Sequence, residues 1–351
     1  MIFVSDNAAG VAPEILQAVA EAAAGFAMPY GNDPGTARVE ALVREIFEAP
    51  EARVHLVATG TAANALSLAC LCPSWATVFG HRESHIEEDE CAAPEFYTGG
   101  AKLTLIDGAD ARMDPDDLAA EARRHGQKVV HRVQNGAVSL TQATERGTVY
   151  TVGQIRALTE IAHAHDMRVH MDGARFANAL ARASVSPAEM TWKAGVDILC
   201  LGATKCGAMA AEAVVLFDPD LAWEFELRRK RAGHLFSKMR FVSAQMEAWL
   251  TDGLWLRLAG QANASADRLA EGIAATPGAR LLHPVEANML FAEIPRGAHR
   301  RLQAAGAKYY PWPSDQPEEG PDDAPLSIRL VCSQQTAAAE IDRFLEVLRD
   351  A

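Results

Sequence analysis

Through the middle of this chain, apolar runs of strand length alternate with helix-length segments, and that alternation constrains the fold more than any other feature. Residues 54–58, 76–80, 102–106, 137–140, 168–172, 197–201 and 213–217 read as strands. Between them, residues 61–71 are rich in Ala and Leu, and residues 114–125 open on Asp-Pro-Asp-Asp. Residues 151–165 place Ile155, Leu158, Ile161 and Ala162 on one helical face. An aspartate ahead of the first turn is helix N-cap chemistry, and apolar positions three and four apart carry the helical period. A βαβα rhythm predicts a mostly parallel sheet with helices on both faces, because parallel neighbours need a crossover. Ligands of such sheets bind beyond the carboxyl ends of the strands.

After about residue 245 the pattern changes. Residues 259–275 and 337–348 read as helices, residues 280–294 are strand-like, and residues 316–325, rich in Pro, Glu, Asp and Gly, read as a loop. The expected organisation is an α/β fold. A large domain, 1–245, carries the mostly parallel sheet flanked by helices and an N-terminal arm, and a smaller C-terminal α+β domain covers 246–351. A net charge of −13 argues against a nucleic-acid backbone or an anionic membrane as the main partner. It leaves room for a small anion held by a local basic cluster. The start of the chain shows no signal-peptide pattern, and no apolar stretch is long enough to span a bilayer. The six cysteines make no Cys-x-x-Cys pair, and His163 and His165 lack metal-binding helix spacing. The expectation is buried thiols in a reducing cytoplasm, with no metal site.

Chemistry-bearing residues fall at the predicted strand ends. Lys205 follows the apolar run 198–201, behind Thr204 and ahead of Gly207. Read alone, it is either a surface lysine in a loop or an amine in a partly desolvated pocket, where a lowered pKa makes it a nucleophile for an aldehyde. Gly60 and Thr61 open the helix after residues 54–58, where free N–H groups suit a phosphate or simply form a cap. Asp172 ends the run 168–172 as a turn residue or as the partner of a protonated ring nitrogen. Arg175 beside it is a natural carboxylate or phosphate fork. His85 suits stacking and proton transfer, or a place on the surface. Arg329 sits in an apolar strand pattern and needs an anionic partner, a substrate carboxylate or an internal acid.

Taken in order, these residues resemble the aspartate-aminotransferase-like fold type I of pyridoxal 5'-phosphate (PLP) enzymes. Within it the chain resembles the low-specificity L-threonine aldolase family. The resemblance runs over nearly the whole chain: Ser5-Asp6-Asn7, Tyr30-Gly31 with Asp33, Thr59-Gly-Thr-Ala-Ala-Asn64, Ser84-His85, Gly147-Thr-Val-Tyr150, His170-Met-Asp-Gly-Ala-Arg175, Gly202-Ala-Thr-Lys205 and Arg329. It implies PLP as cofactor, carried by Lys205 as a Schiff base. Asp172 would pair with the ring nitrogen and His85 would stack on the ring. Gly60 and Thr61 would hold the phosphate, with Thr204 and Arg175 nearby. Ser5, Arg175 and Arg329 would hold the substrate carboxylate. Tyr30 would lie near the substrate, and Lys230 and Arg240 would reach a neighbouring subunit's phosphate or else form a solvated basic helix face. The implied assembly is a homodimer or homotetramer with composite sites.

The implied reaction is retro-aldol cleavage of a β-hydroxy-α-amino acid to glycine and an aldehyde, with His85, directly or through a water, as the base. The motifs leave open another fold-type-I reaction, β-elimination or transamination, and a PLP-binding homologue without turnover. The chain departs from the family pattern at two places. Cys206 stands where many members carry Asn, and Gln142-Ala-Thr-Glu145 stands where many carry Glu-Asn-Thr-His, so that Glu145 replaces a histidine.

Overall fold

The computed structural model of the protein describes residues 1–350. Its centre is a seven-stranded sheet: β1 (Arg53–Val57), β2 (Ala76–His81), β3 (Lys102–Ile106), β4 (Gln134–Thr141), β5 (Arg168–Gly173), β6 (Ile198–Gly202) and β7 (Glu212–Leu216). The strand order is β1-β7-β6-β5-β4-β2-β3. The pairs among β2 to β6 are parallel, and β7 runs antiparallel to both β6 and β1. Six strands therefore point one way, and their carboxyl ends share one edge. β2, β6 and β7 are buried along their whole length, as unbroken apolar strands under helices on both faces must be.

The helix Gly60–Leu71 is nearly all buried. Thr59 caps it by accepting the Ala62 N–H, which leaves the N–H groups of Gly60 and Thr61 without helical partners at the carboxyl edge of the sheet. Asn64, Ser67 and Leu71 follow at helical spacing and turn toward the strands. Ser67 Oγ meets Cys200 Sγ of β6 at 3.5 Å, and Asn64 meets Asp172 of β5.

A second sheet, β10 (Tyr310–Pro311), β11 (Pro325–Val331), β9 (Met289–Pro295) and β8 (Arg280–Leu281), is antiparallel throughout. The helices Arg296–Ala304 and Ala338–Arg349 belong to it, and its own core gathers Leu290, Ile294, Leu326, Ile328 and Phe344. The 21-residue helix Leu254–Ala274 serves both cores. Trp255 and Leu258 pack into the large one, and Leu269 and Ile273 into the small one. The chain's first residues join the second sheet. Ile2 bridges Lys308, Phe3 N donates to Lys308 O at 2.8 Å, and the Phe3 ring meets Phe344 edge-on.

Two expectations change in detail. The strand-like stretch 280–294 is two strands separated by the turn through His283 and Pro284, because β8 pairs antiparallel with β9 and the chain must reverse between them. The helix expected from residue 259 begins five residues earlier, where Leu254 and Trp255 extend its buried stripe. No helix among the described residues is long and apolar enough to cross a membrane.

Candidate active site

A cavity of about 590 Å³ opens at the carboxyl edge of the large sheet, roofed by the second lobe. Ser5, Gly60, Thr61, His85, Asp172, Arg175, Lys205 and Arg329 all line it. The loop after β6 brings in Lys205, the end of β5 brings Asp172, and β11 brings Arg329. Burial, with Arg175 close by, pulls the Lys205 ammonium pKa down, opposed by Asp6, Asp172 and Glu212. An amine so placed is a nucleophile at lower pH than an exposed lysine.

Burial would raise the pKa of Asp172, yet His85, Lys205 and the Ala174 N–H hold its carboxyl below the ordinary value. Its Oδ1 accepts the Ala174 N–H at 2.9 Å, and its Oδ2 accepts from Asn64 Nδ2 at 2.9 Å. The same amide nitrogen donates to Glu90 Oε1 at 2.8 Å, and that oxygen also meets His85 Nδ1 at 2.9 Å. The Glu90 hydrogen bond, outweighing burial, raises the His85 pKa above the ordinary histidine value. Asp172, Asn64, Glu90 and His85 thus form one continuous polar chain, buried up to the partly exposed His85 ring.

The two arginines differ. Arg175 forks onto Asp6, Nε to Oδ2 at 2.7 Å and Nη2 to Oδ1 at 2.9 Å, with Asp6 buried and the Arg175 side chain nearly so. Arg329 makes no ion pair among the described residues. Its Nε lies 3.1 Å from Met289 Sδ and its guanidinium sits over the Trp312 ring. Burial, with Arg175 next in weight, pulls its pKa down to about 10. A cation held beside a second cation with no acid of its own is built to take an anion.

Not every expected residue comes to this cavity. Thr204, directly before Lys205, does not line it; its hydroxyl accepts the Ala211 N–H at 3.1 Å. Tyr30, Lys230 and Arg240 lie outside it, on the protein surface. The Lys230 ammonium sits 4.9 Å over the Tyr30 ring, and Arg240 Nη1 donates to Gly25 O at 3.1 Å. Cys206 turns away from the cavity. Its thiol faces Trp255 O at 3.5 Å, and burial pushes its pKa up to about 12.

Sequence reasoning missed Asn64, Glu90 and Glu212 as site residues. Glu212 carried a signal, an acid opening the apolar run of β7, and burial raises its pKa beside Lys205. Glu90 carried none, because it closes the acidic run Glu87–Glu90 and looks like solvated charge.

The beta-eliminating lyase family matches residues 3–295. The low-specificity L-threonine aldolase of Pseudomonas aeruginosa is 41% identical over 348 residues, 99% of this chain and 96% of that protein. The chain belongs to the low-specificity L-threonine aldolase family. A second member, from a Pseudomonas species, is 40% identical over 308 residues, 88% of each chain. The solved structure of Leishmania major threonine aldolase superimposes with a TM-score of 0.91 at 28% identity, covering 99% of this chain and 98% of that one. The large sheet flanked by helices with a smaller antiparallel lobe is therefore the fold type I architecture expected from the sequence, and the threonine aldolase resemblance holds over almost every residue.

Proposed function

We propose that this enzyme cleaves a β-hydroxy-α-amino acid of the L-threonine, L-allo-threonine or phenylserine type to glycine and an aldehyde, using PLP held at Lys205. The observation that carries this reading is the meeting of three groups in one cavity: the desolvated Lys205 amine, the ionised buried Asp172, and Arg329 without an internal acid. The cavity suits such a cofactor on its own terms. Beyond its chain neighbours and its own helix backbone, no atom lies within 4 Å of where a Cβ on Gly60 would stand, so the end of its helix is open to a phosphate.

When bound, PLP supplies an electron sink for the pair released at Cα. The protein's own groups do the rest. Lys205 provides the amine that anchors the cofactor, and Asp172 keeps a ring nitrogen protonated. His85, fixed by Glu90, would stack on the ring. Gly60 and Thr61 hold the phosphate at the helix N-terminus, with Thr204 beside the lysine. Arg329 and Ser5 hold the substrate carboxylate. Arg175, clamped by Asp6, adds its remaining edge to the same anion.

Two copies sharing their sites is part of this proposal. Tyr30, Lys230 and Arg240 sit together outside their own cavity, near the exposed Phe26 and Met28, and are offered to a partner's phosphate and substrate. All six thiols are free and four are buried, which fits a reducing cytoplasm.

The decisive experiment is product analysis with L-threonine, L-allo-threonine and phenylserine on the wild type and Lys205→Ala. Glycine with the matching aldehyde, lost in the variant, supports the reading. Pyruvate or another oxoacid as product, or an unimpaired Lys205→Ala, overturns it.

A further inference from the structure

The loop that follows β4 holds an acid which the reading above does not use. Gln142 braces this loop by donating to Tyr150 O at 2.9 Å and accepting from Tyr150 N at 3.0 Å. The hydroxyls of Thr144 and Thr148 meet at 2.8 Å, and Glu286 accepts the Val149 N–H at 2.7 Å. Gly147 turns there at a φ of 75°, so close to the second lobe that a Cβ would stand 2.4 Å from Met289 O. A loop pinned this way holds its side chains still.

Glu145 projects from it into the cavity that holds Lys205, Asp172 and Arg329. Its Oε1 accepts the backbone N–H of His85 at 2.9 Å. Its Oε2 is buried with no hydrogen-bond partner. A buried carboxylate oxygen left unpaired is costly, and natural sites keep such a group when a ligand completes it. His85, by contrast, has Nδ1 committed to the fully buried Glu90, whose hydrogen bond shifts the ring toward the protonated form, in which no lone pair is free to take a proton.

Resting on the retro-aldol reading, we infer that Glu145 Oε2 takes the proton from the substrate β-hydroxyl, the task the sequence assigned to His85. As that proton moves to Glu145, the O–H pair becomes the new C=O bond, the Cα–Cβ bond breaks, and its pair remains on Cα. One proton then returns to Cα to give glycine, so protons and electrons balance with no oxidant or reductant. The charge setting suits the task. Burial and the facing Asp172 carry the Glu145 carboxyl up to about 7, opposed by the His85 N–H and the His85 ring. Arg175 and the buried Tyr150 are the other titrating groups that face it. A carboxylate tuned there is a far better base than an ordinary one, and its ionised form becomes dominant as pH rises above about 7.

Glu145→Gln tests this, because the amide oxygen still accepts the His85 N–H but takes no proton. We expect kcat for aldehyde release to fall about 100-fold or more. KM, the cofactor's absorbance near the visible edge, and deuterium exchange at the α-carbon of glycine should stay within a few-fold, since exchange involves no β-hydroxyl. Formate added to Glu145→Ala should restore part of the lost cleavage. As a check independent of any variant, the wild-type single-turnover rate should rise with pH through about 7 and then level off. Cleavage by Glu145→Gln within about threefold of wild type, equal loss of cleavage and exchange, or a flat pH profile each overturn the role. A wild type that exchanges glycine's α-hydrogen yet releases no aldehyde sinks the retro-aldol reading itself, and this role with it.

Discussion

Arg175 and Asp6 are joined by two parallel hydrogen bonds, 2.7 and 2.9 Å long, in the buried wall of the cavity. Asp6 also accepts from Asn288 Nδ2 at 3.0 Å, so one carboxylate ties the N-terminal arm to the end of β5 and to the approach of β9. Removing it leaves a buried guanidinium unpaired. Asp6→Ala should lose about 3–5 kcal/mol in urea unfolding. The sign with pH follows. Arg175 overcomes burial to hold Asp6 below the ordinary carboxylate value, so its contribution is complete at neutral pH and is lost only as pH falls through that depressed value.

Arg329 should behave in the opposite way. It has no internal acid to leave behind, so Arg329→Leu should leave unfolding stability unchanged or improve it. The KM for the amino acid should rise about tenfold or more while kcat moves less, as removal of a substrate-binding charge predicts. A stability loss matching that of Asp6→Ala would contradict this division of labour.

Glu90→Gln keeps a hydrogen-bonding group opposite His85 but removes the charge. The imidazole pKa, now raised mainly by Glu90 against the pull of burial, should fall below the ordinary histidine value. A pH titration of the ring signals by NMR reads this directly. An unchanged titration would show that Asp172, not Glu90, sets the state of His85.

Cys206 is the departure that structure makes harmless. Its thiol points at Trp255 O, away from the cavity, and stays protonated. Cys206→Ala should leave kcat and KM within about twofold and cost roughly 1 kcal/mol for the small cavity left behind. Reaction with an iodoacetamide probe should be slow in the folded enzyme.

His170 sets a pH limit on stability. It is fully buried below Asp172 on the same face of β5, with Nδ1 2.9 Å from Ser139 Oγ, and burial lowers its pKa to about 4. The unfolded chain takes up this proton below about pH 6.5, and the folded one only near 4. Stability is therefore full above 6.5 and declines as the medium acidifies, by about 2 kcal/mol at pH 5. His170→Gln should flatten the slope between pH 7 and 5 in denaturant titrations.

How far the sequence could be read follows from range. The strands of the large sheet were visible because a sheet buried on both faces demands unbroken apolar runs. Lys205, Asp172 and Gly60 were visible because strand ends and helix starts are local signals. The antiparallel entry of β7 was not, since strand direction depends on how far the chain travels between residues 206 and 212. The chain from Asp172 through Asn64 and Glu90 to His85 joins positions up to 108 residues apart. Nothing around Glu90 distinguishes it from its acidic neighbours. Glu145 was visible as a substitution, but the neutral-pH carboxyl it becomes is a property of its burial.

The threading of Phe3 between Lys308 and Val331 bears on how the enzyme is made. Its N–H donates to Lys308 O, and its own carbonyl accepts the Val331 N–H at 2.9 Å. Ser5 and Asp6 follow immediately, so the wall of the cavity cannot form until β11 has left the ribosome. Lys205 and Asp172 are both translated before β11, so late in synthesis the chain carries them without the strand that fixes Phe3. The last strand to be translated admits the first residues, and the order of translation itself delays a working pocket until both lobes are in place.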